Sequence, residues 1–432
     1  MVRIEPGSGN SAAGSQRASP GIRRAFSWAR LPEGWRYNGG GRDLRLDLLR
    51  GVCMVAMVID HIGAHTGANA SWLYALTGGN RFFVSAAEGF IFLSGLITGV
   101  INAGVTGGHG LGRVVMRILH RGWTLYGVTI LLTFAFALAL LGLGHPAAPR
   151  LDAHTSAEWV IGILTLHRTY YLTDIIFTYT LLFLAGGLAI TLIGHGHTRV
   201  VLAGSWAVWL LWQFFPRQAE FPWSVVDGAA FHFSAWQVLF FTAFIIGYHR
   251  RAIRARLERV RPETVLLASS ILLAVCLGLY RTQLRPLAAL LPGVSQPDLA
   301  AQFLDKADMR IGRLLVFAVV AVFASSVATL GWVPIRRALG WLLLPLGQRS
   351  LTAYSVHVFV VAALGWLTAN LWRPAPQSSL GITILQLLGV GMVWAWVRLA
   401  PRMTSLAHVW DEAEHRLLAE VEHVLAGSAR RV

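Results

Sequence analysis

Apolar runs near the length of a membrane-crossing helix recur from residue 44 to residue 399, separated by short segments that hold most of the arginines and carboxylates. A hydrocarbon core of ~30 Å needs about 20 such residues per helix. The pattern predicts an all-α, polytopic integral membrane protein with about ten transmembrane helices. The expected spans are 44–64, 82–103, 121–143, 173–194, 200–215, 234–249, 263–280, 311–331, 350–371 and 380–399. The fifth and sixth are short, and 158–166 reads as a re-entrant or interfacial piece. Residues 1–41 are rich in Gly, Ser and Arg, carry no apolar periodicity and lack a signal-peptide apolar region. They are expected to be a disordered basic cytoplasmic tail. Residues 42–400 form the membrane domain. Within 401–432, the stretch 410–425 repeats its apolar positions at helical spacing, as an amphipathic helix on the cytoplasmic membrane surface does.

Charge adds an orientation. Arginines concentrate in alternate loops: the N-terminal tail, Arg113/Arg117/Arg121, Arg199, residues 249–261, Arg336/Arg337/Arg349 and the C-terminus. The intervening loops mix signs: Arg150 with Asp152 and Glu158, Arg217 with Glu220 and Asp227, and Lys306 with Asp305 and Asp308. The positive-inside rule then places both termini in the cytoplasm. The 432 residues are 55% hydrophobic and 13% charged, about half the charge of a soluble chain. The formal charge of +16 therefore reports topology, and a nucleic-acid partner is not expected. Cys53 and Cys276 both lie in apolar runs and read as small core residues, so neither a disulfide nor a metal site is expected.

The first span breaks its own pattern. Arg50 and His61 lie inside it, with Asp60 beside the histidine. A mid-membrane ionisable group costs roughly 2.5–3.5 kcal/mol on insertion scales and so needs a function or a partner. At about 100° per residue, Asp47, Arg50, Met54, Met57 and His61 fall on one narrow stripe, with Arg50 and His61 roughly 16 Å apart along the axis. Glu88, near the outer end of the second span, shares the depth of Asp60 and His61. A histidine beside a carboxylate is a general-base arrangement, and a buried ion pair between helices is the plainer alternative. Gly95 and Gly99 share the Glu88 face at a small-xxx-small spacing, so Glu88 is expected to face protein.

Arg113, Arg117 and Arg121 recur every four residues, with His120 beside them. Such a stripe fits a phosphate-rich ligand such as coenzyme A and equally fits anionic lipid headgroups. Ser350, Tyr354 and His357 share a face of a late span. His357 sits near mid-membrane, where a structural hydrogen bond to another helix is the simpler role.

Four segments together resemble the OpgC family: RDLRLDLLRG…DH, SAAEGFIFLSGLITG, FSAWQVLFFTAFIIGY and LGQRSLTAYSVHVF, within residues 42–400. That family belongs with the wider acyltransferase-3 group of membrane enzymes. The Arg50-x10-His61 spacing matches the group's first-helix motif, and Glu88 corresponds to the Glu of the SDAAE-like segment. This chain has Ser85-Ala86-Ala87 where an Asp commonly precedes the alanines, and Arg-x-x-x-Arg twice where the group often has Arg-x-x-Arg. The resemblance implies an O-acyltransferase acting on a periplasmic or cell-surface glycan, with succinyl or acetyl as the acyl group and a cytoplasmic acyl-CoA as donor substrate. On that reading His61, Asp60 and Glu88 are catalytic, and Arg50, Arg113, Arg117 and Arg121 bind the donor. A thioester is already activated, so a base and an oxyanion stabiliser suffice and no metal or tightly bound cofactor is required. The rivals are a transporter or flippase for a glycan or small solute, which uses the same buried charges as a path, and a non-catalytic membrane partner in glycan assembly. Paired repeats, the mark of many transporters, are not evident in the sequence.

Overall fold

The computed structural model describes residues 42–403, except 66–70, 80–81, 105–108, 145–147, 150–154, 217, 227–229, 292 and 371–377. The expected tail 1–41 and the expected amphipathic helix 410–425 lie outside the described residues, as do Arg150, Asp152, Arg217 and Asp227 of the mixed loops. Regular structure among the described residues is helical, apart from one isolated bridge between Arg168 and Val226.

The principal helices are α1 (Leu44–His65), α2 (Ala86–Ile101), α3 (His109–Gly142), α4 (Asp174–Gly194), α5 (Thr198–Phe214), α6 (Phe233–Tyr248), α7 (Pro262–Arg281), α8 (Ile311–Leu330), α9 (Trp332–Gln348), α10 (Ser350–Asn370) and α11 (Ser379–Met403). Six of these, α3, α4, α7, α8, α10 and α11, are long and apolar enough to cross a membrane, and α2 and α6 are shorter apolar helices. The described residues thus form an all-helical structure with the helices of a multi-pass membrane protein. Its apolar exterior is continuous with that reading. On α7, Leu267, Ile271, Leu272 and Val275 are all exposed, as side chains facing lipid are.

Two expectations change. The arginine stripe does not precede its span in a separate piece: α3 runs unbroken from His109, so Arg113, Arg117 and Arg121 continue the axis of the apolar helix. The segment around Arg336 and Arg337, expected as a basic loop, is helix α9. Its apolar positions are interrupted by both arginines and two prolines, which hides the helix from a hydropathy scan. Its packing makes it part of the bundle. Gly340, Leu343, Leu346 and Gly347 form its buried side. Leu343 lies on Gly51 of α1, and Gly347 lies on Asp47 of α1, so close that a methyl group at either glycine overlaps the facing backbone carbonyl. The interfacial piece expected at 158–166 is a short helix, Thr155–Leu164, whose Trp159 and Ile163 pack on Ala137 of α3.

Helix α1 is the hub, packed against α2, α8, α9, α10 and α11. The α2–α6 contact is the tightest elsewhere. Gly95 and Gly99 of α2 face the carbonyls of Phe240 and Phe244 of α6, and Gly247 of α6 faces Leu96. Backbones can approach this closely only because these positions lack a Cβ. The fully buried Trp236, Phe240 and Phe244 fill the volume beside that seam. Polar threads complete the packing. Gln386 of α11 donates to the Ile59 carbonyl of α1 at 3.1 Å and accepts from Ser71 at 2.6 Å. Arg45 of α1 donates to Thr329 of α8 at 3.0 Å.

The seam gives a direct test. Gly95→Leu forces a side chain into the Phe240 carbonyl, and overpacking of this kind costs roughly 1–3 kcal/mol or more. Its thermal midpoint in detergent is expected to fall well below that of the parent. Gly204→Ala, where a Cβ meets open space, is expected to melt with the parent. Equal melting of the two variants removes the close-packing argument.

Candidate functional site

The α1 stripe is assembled by α10. At one end Arg50 Nη2 donates to Ser350 Oγ at 2.6 Å. At the other, His61 Nδ1 meets His357 Nε2 at 3.0 Å. The residues between them on α1, Met54 and Met57, are buried. The faces read separately in the two helices are therefore one interface, and Tyr354 stands between its polar ends.

Arg50 lines a cavity of about 670 Å³. Asp47 does not neutralise it directly, because Arg42 holds that carboxylate in a two-bond fork at 2.6 and 2.7 Å. The Arg50 guanidinium carbon lies 5.9 Å from the centre of the Phe90 ring, and its Nε is buried without a hydrogen-bond partner in the structure. Arg117 and Arg121 of α3 and Arg250 line the same cavity. Arg113, one turn earlier on α3, is exposed and is not part of the lining. Arg42, Asp43 and Asp47 line it too, with both carboxylates paired to arginines, and the rest of the wall is apolar or weakly polar, with Ser94 and Tyr179 joined by a 3.2 Å hydrogen bond. An apolar chamber with several guanidinium groups at one end suits an extended ligand carrying phosphates on one part.

His61 lines a second, smaller cavity of about 150 Å³, together with Asp60, Asp174, Lys306 and Phe231. Asp60 accepts a hydrogen bond from Thr77, in the short helical turn after α1. His61 thus leans on another imidazole, while the adjacent carboxylate is held by a threonine. Lys306 comes from the loop before α8, with its ammonium 5.4 Å from the Phe231 ring. Burial holds that ammonium below the ordinary lysine range against the opposing pull of Glu88, Arg313 adds to the lowering, and Asp174 and Asp60 oppose it more weakly. The lysine therefore sits within the field of three carboxylates.

Glu88 is fully buried but is not part of either lining. One of its oxygens pairs with Arg313 Nε of α8. The other accepts from the Ser85 backbone at 2.9 Å and from Ser85 Oγ at 2.7 Å, closing a capping box at the start of α2. Its visible work is to fix α2 against α8. The plainer alternative of an interhelical ion pair describes this geometry.

The two cavities share lining residues Ile175 and Tyr354. Tyr354 Oη donates to the Leu172 carbonyl, which holds the ring in that wall. The arginine-lined chamber and the histidine-lined chamber thus stand back to back.

Comparison with known proteins adds a family. A family model described as "OpgC protein" matches residues 42–405. The chain belongs to the OpgC family. No curated protein and no solved structure gave a significant match. In this OpgC-family chain the match spans both chambers and α1 through α11.

Sequence reasoning missed Arg313, Lys306, Asp174 and Ile175. A signal existed for Arg313, an isolated cation two residues into an apolar helix, the same criterion that selects Arg50. Asp174 and Lys306 stand at helix boundaries, where a charge looks like ordinary loop chemistry.

Removing one partner of a buried pair leaves an uncompensated charge, at a cost of about 3–5 kcal/mol. Arg313→Met is therefore expected to lower the unfolding midpoint strongly, and adding Glu88→Gln to that variant is expected to restore part of the loss. Thermal unfolding of the detergent-solubilised proteins checks this. A double variant no more stable than Arg313→Met shows that the pair does not act as a unit.

Proposed function

We propose that this OpgC-family chain is an integral membrane O-acyltransferase of the acyltransferase-3 type. It transfers an acyl group, succinyl or acetyl, from a cytoplasmic acyl-CoA to a hydroxyl of a periplasmic or cell-surface glycan. The observation that carries this reading is the pair of back-to-back chambers with Tyr354 and Ile175 in their common wall. One chamber offers guanidinium groups suited to a phosphate-bearing donor, and the other offers an imidazole suited to a hydroxyl acceptor. The proposal includes about ten membrane-spanning helices in an inner membrane, with both termini cytoplasmic. That orientation puts the arginine-lined chamber on the cytoplasmic side and His61 towards the outside.

In this reading Arg50, Arg117 and Arg121 hold the donor phosphates, and Arg113 faces lipid headgroups. The thioester carbonyl reaches the common wall. His61 accepts the proton of the acceptor hydroxyl, whose oxygen bonds to the carbonyl carbon. The carbon–sulfur bond then breaks, and the departing thiolate takes up the proton. Asp60 lies in the His61 chamber and supports the developing imidazolium through the field, while Glu88 secures the helices around it. The mechanism needs no metal or tightly bound cofactor.

Back-to-back chambers also fit a solute path, so a transporter or flippase is the second reading. Transfer or hydrolysis of acetyl-CoA or succinyl-CoA by purified protein separates them. His61→Gln, which keeps hydrogen bonding but cannot act as an efficient base, is expected to lose roughly 10²–10⁴ in rate while remaining folded. Near-parental turnover by that variant ends the assigned role of His61. Binding tests the other chamber. Arg117→Ala with Arg121→Ala is expected to weaken coenzyme A binding by about tenfold or more per lost charge-assisted contact, measured by titration calorimetry. Unchanged affinity in the folded double variant reassigns that stripe to lipid.

A further inference from the structure

Acyl transfer needs a donor for the negative charge that builds on the thioester oxygen, as well as a base. In the smaller chamber the hydroxyl donors are already committed. Ser85 Oγ donates to Glu88 at 2.7 Å, and Tyr354 Oη donates to the Leu172 carbonyl. Lys306 differs from both. It lines the chamber, yet among the described residues its ammonium has no hydrogen bond and no direct ion pair. Its contact is with the Phe231 ring, whose centre lies 5.4 Å away. Glu88, Asp174 and Asp60 favour its charged form through the field, against burial and Arg313.

The loop that carries Lys306 is fastened to α5. Trp209 Nε1 donates to the Met309 carbonyl at 2.9 Å, Trp212 Nε1 to Asp308 Oδ1 at 3.1 Å and Gln213 Nε2 to the Asp308 carbonyl at 2.9 Å. Arg310 Nη2 closes the loop on the Asp308 carboxylate at 2.7 Å. The lysine is flexible, but its backbone is anchored. The first turn of α2 borders the same chamber at Ala86 and Ala87. First-turn N–H groups have no acceptor within their own helix, and the helix dipole adds partial positive charge there. Two sources of positive potential therefore border the chamber that His61 lines.

We propose that Lys306 is a catalytic residue, the donor that stabilises the oxyanion of the tetrahedral intermediate, with the first turn of α2 adding its field. This rests on the acyltransferase reading. As the acceptor oxygen bonds to the carbonyl carbon, the carbonyl π pair moves onto its oxygen, and Lys306 donates a hydrogen bond to that oxygen. The pair returns when the carbon–sulfur bond breaks. The thiolate takes the proton that His61 had accepted, and Lys306 keeps its own hydrogens throughout. A base and an oxyanion donor must both reach one reacting carbon, which two groups lining one chamber of about 150 Å³ are placed to do.

The acyl chain supplies the test. An oxyanion forms whichever acyl group is transferred, whereas a carboxylate at the far end of the chain exists in succinyl and not in acetyl. Coenzyme A release by the purified full chain is measured with acetyl-CoA and with succinyl-CoA, using methyl β-glucoside as the acceptor probe. Lys306→Met is expected to lower kcat by about 10²–10³-fold with both donors, with KM for the donor changed less than about threefold. Lys306→Gln, which keeps N–H donors without charge, is expected to fall between Lys306→Met and the parent. In Lys306→Ala, added methylammonium is expected to restore part of kcat with both donors, and sodium chloride at the same ionic strength to restore none. Thermal melting confirms that each variant is folded. Parental kcat in Lys306→Met overturns the assignment. So does a loss confined to succinyl-CoA, which places the ammonium on the chain's far carboxylate, or a folded Lys306→Ala that methylammonium does not rescue, which makes the lysine structural. No coenzyme A release by the parent with either donor rejects the acyltransferase reading, and the assignment with it.

Discussion

The structure depends on the cost of carrying charge through an apolar bundle. Helix α1 holds a guanidinium and an imidazole about three turns apart, and neither is tolerable against lipid. Both are therefore turned inward and given partners on α10, Ser350 for Arg50 and His357 for His61. Five other helices surround α1 to keep it from lipid. The same constraint explains Glu88 and Arg313, whose mutual neutralisation lets α2 and α8 carry buried charge where the second chamber forms.

Close packing and open volume are linked in this bundle. The glycine seams between α2 and α6 and between α1 and α9 draw backbones together. Where arginines and aromatics meet instead, the helices stand apart and leave the larger chamber. The residues that permit contact and those that prevent it alternate on the same helices. Gly95 and Gly99 of α2 face α6, while Ser94 and Thr98 of α2 line the chamber. A membrane bundle gains little from apolar burial against lipid tails, so such steric fit carries much of the specificity.

The functional reading rests on what each chamber offers chemically. The larger one is lined by five arginines against two carboxylates, Asp43 and Asp47, whose direct ion pairs are with Arg45 and Arg42. That imbalance favours an anionic visitor. The smaller one sets Lys306 beside Asp60 and Asp174 and presents the His61 imidazole. Among the described residues, Tyr354 and Ile175 line both.

Much was legible from the chain itself, and the reason is locality. Helical periodicity acts over three or four residues, so the α1 stripe of Asp47, Arg50, Met54, Met57 and His61, the small-residue face of α2 and the Ser350–Tyr354–His357 face of α10 all follow from spacing. Hydropathy likewise located most of the long helices to within a few residues, because lipid demands uniform apolar length. It failed at α9, where arginines and prolines break the run and tertiary contact with Gly51 and Asp47 supplies the stability instead. Partnership was decided only by folding. The pairs Glu88–Arg313, Arg50–Ser350 and His61–His357 join residues 225, 300 and 296 positions apart. No local period connects them. Depth alone suggested that His61 would lean on Asp60 or Glu88, but depth is one coordinate. Rotation about each helix axis sets the other, and it turned Asp60 to Thr77, Glu88 to Arg313 and His61 to a second histidine.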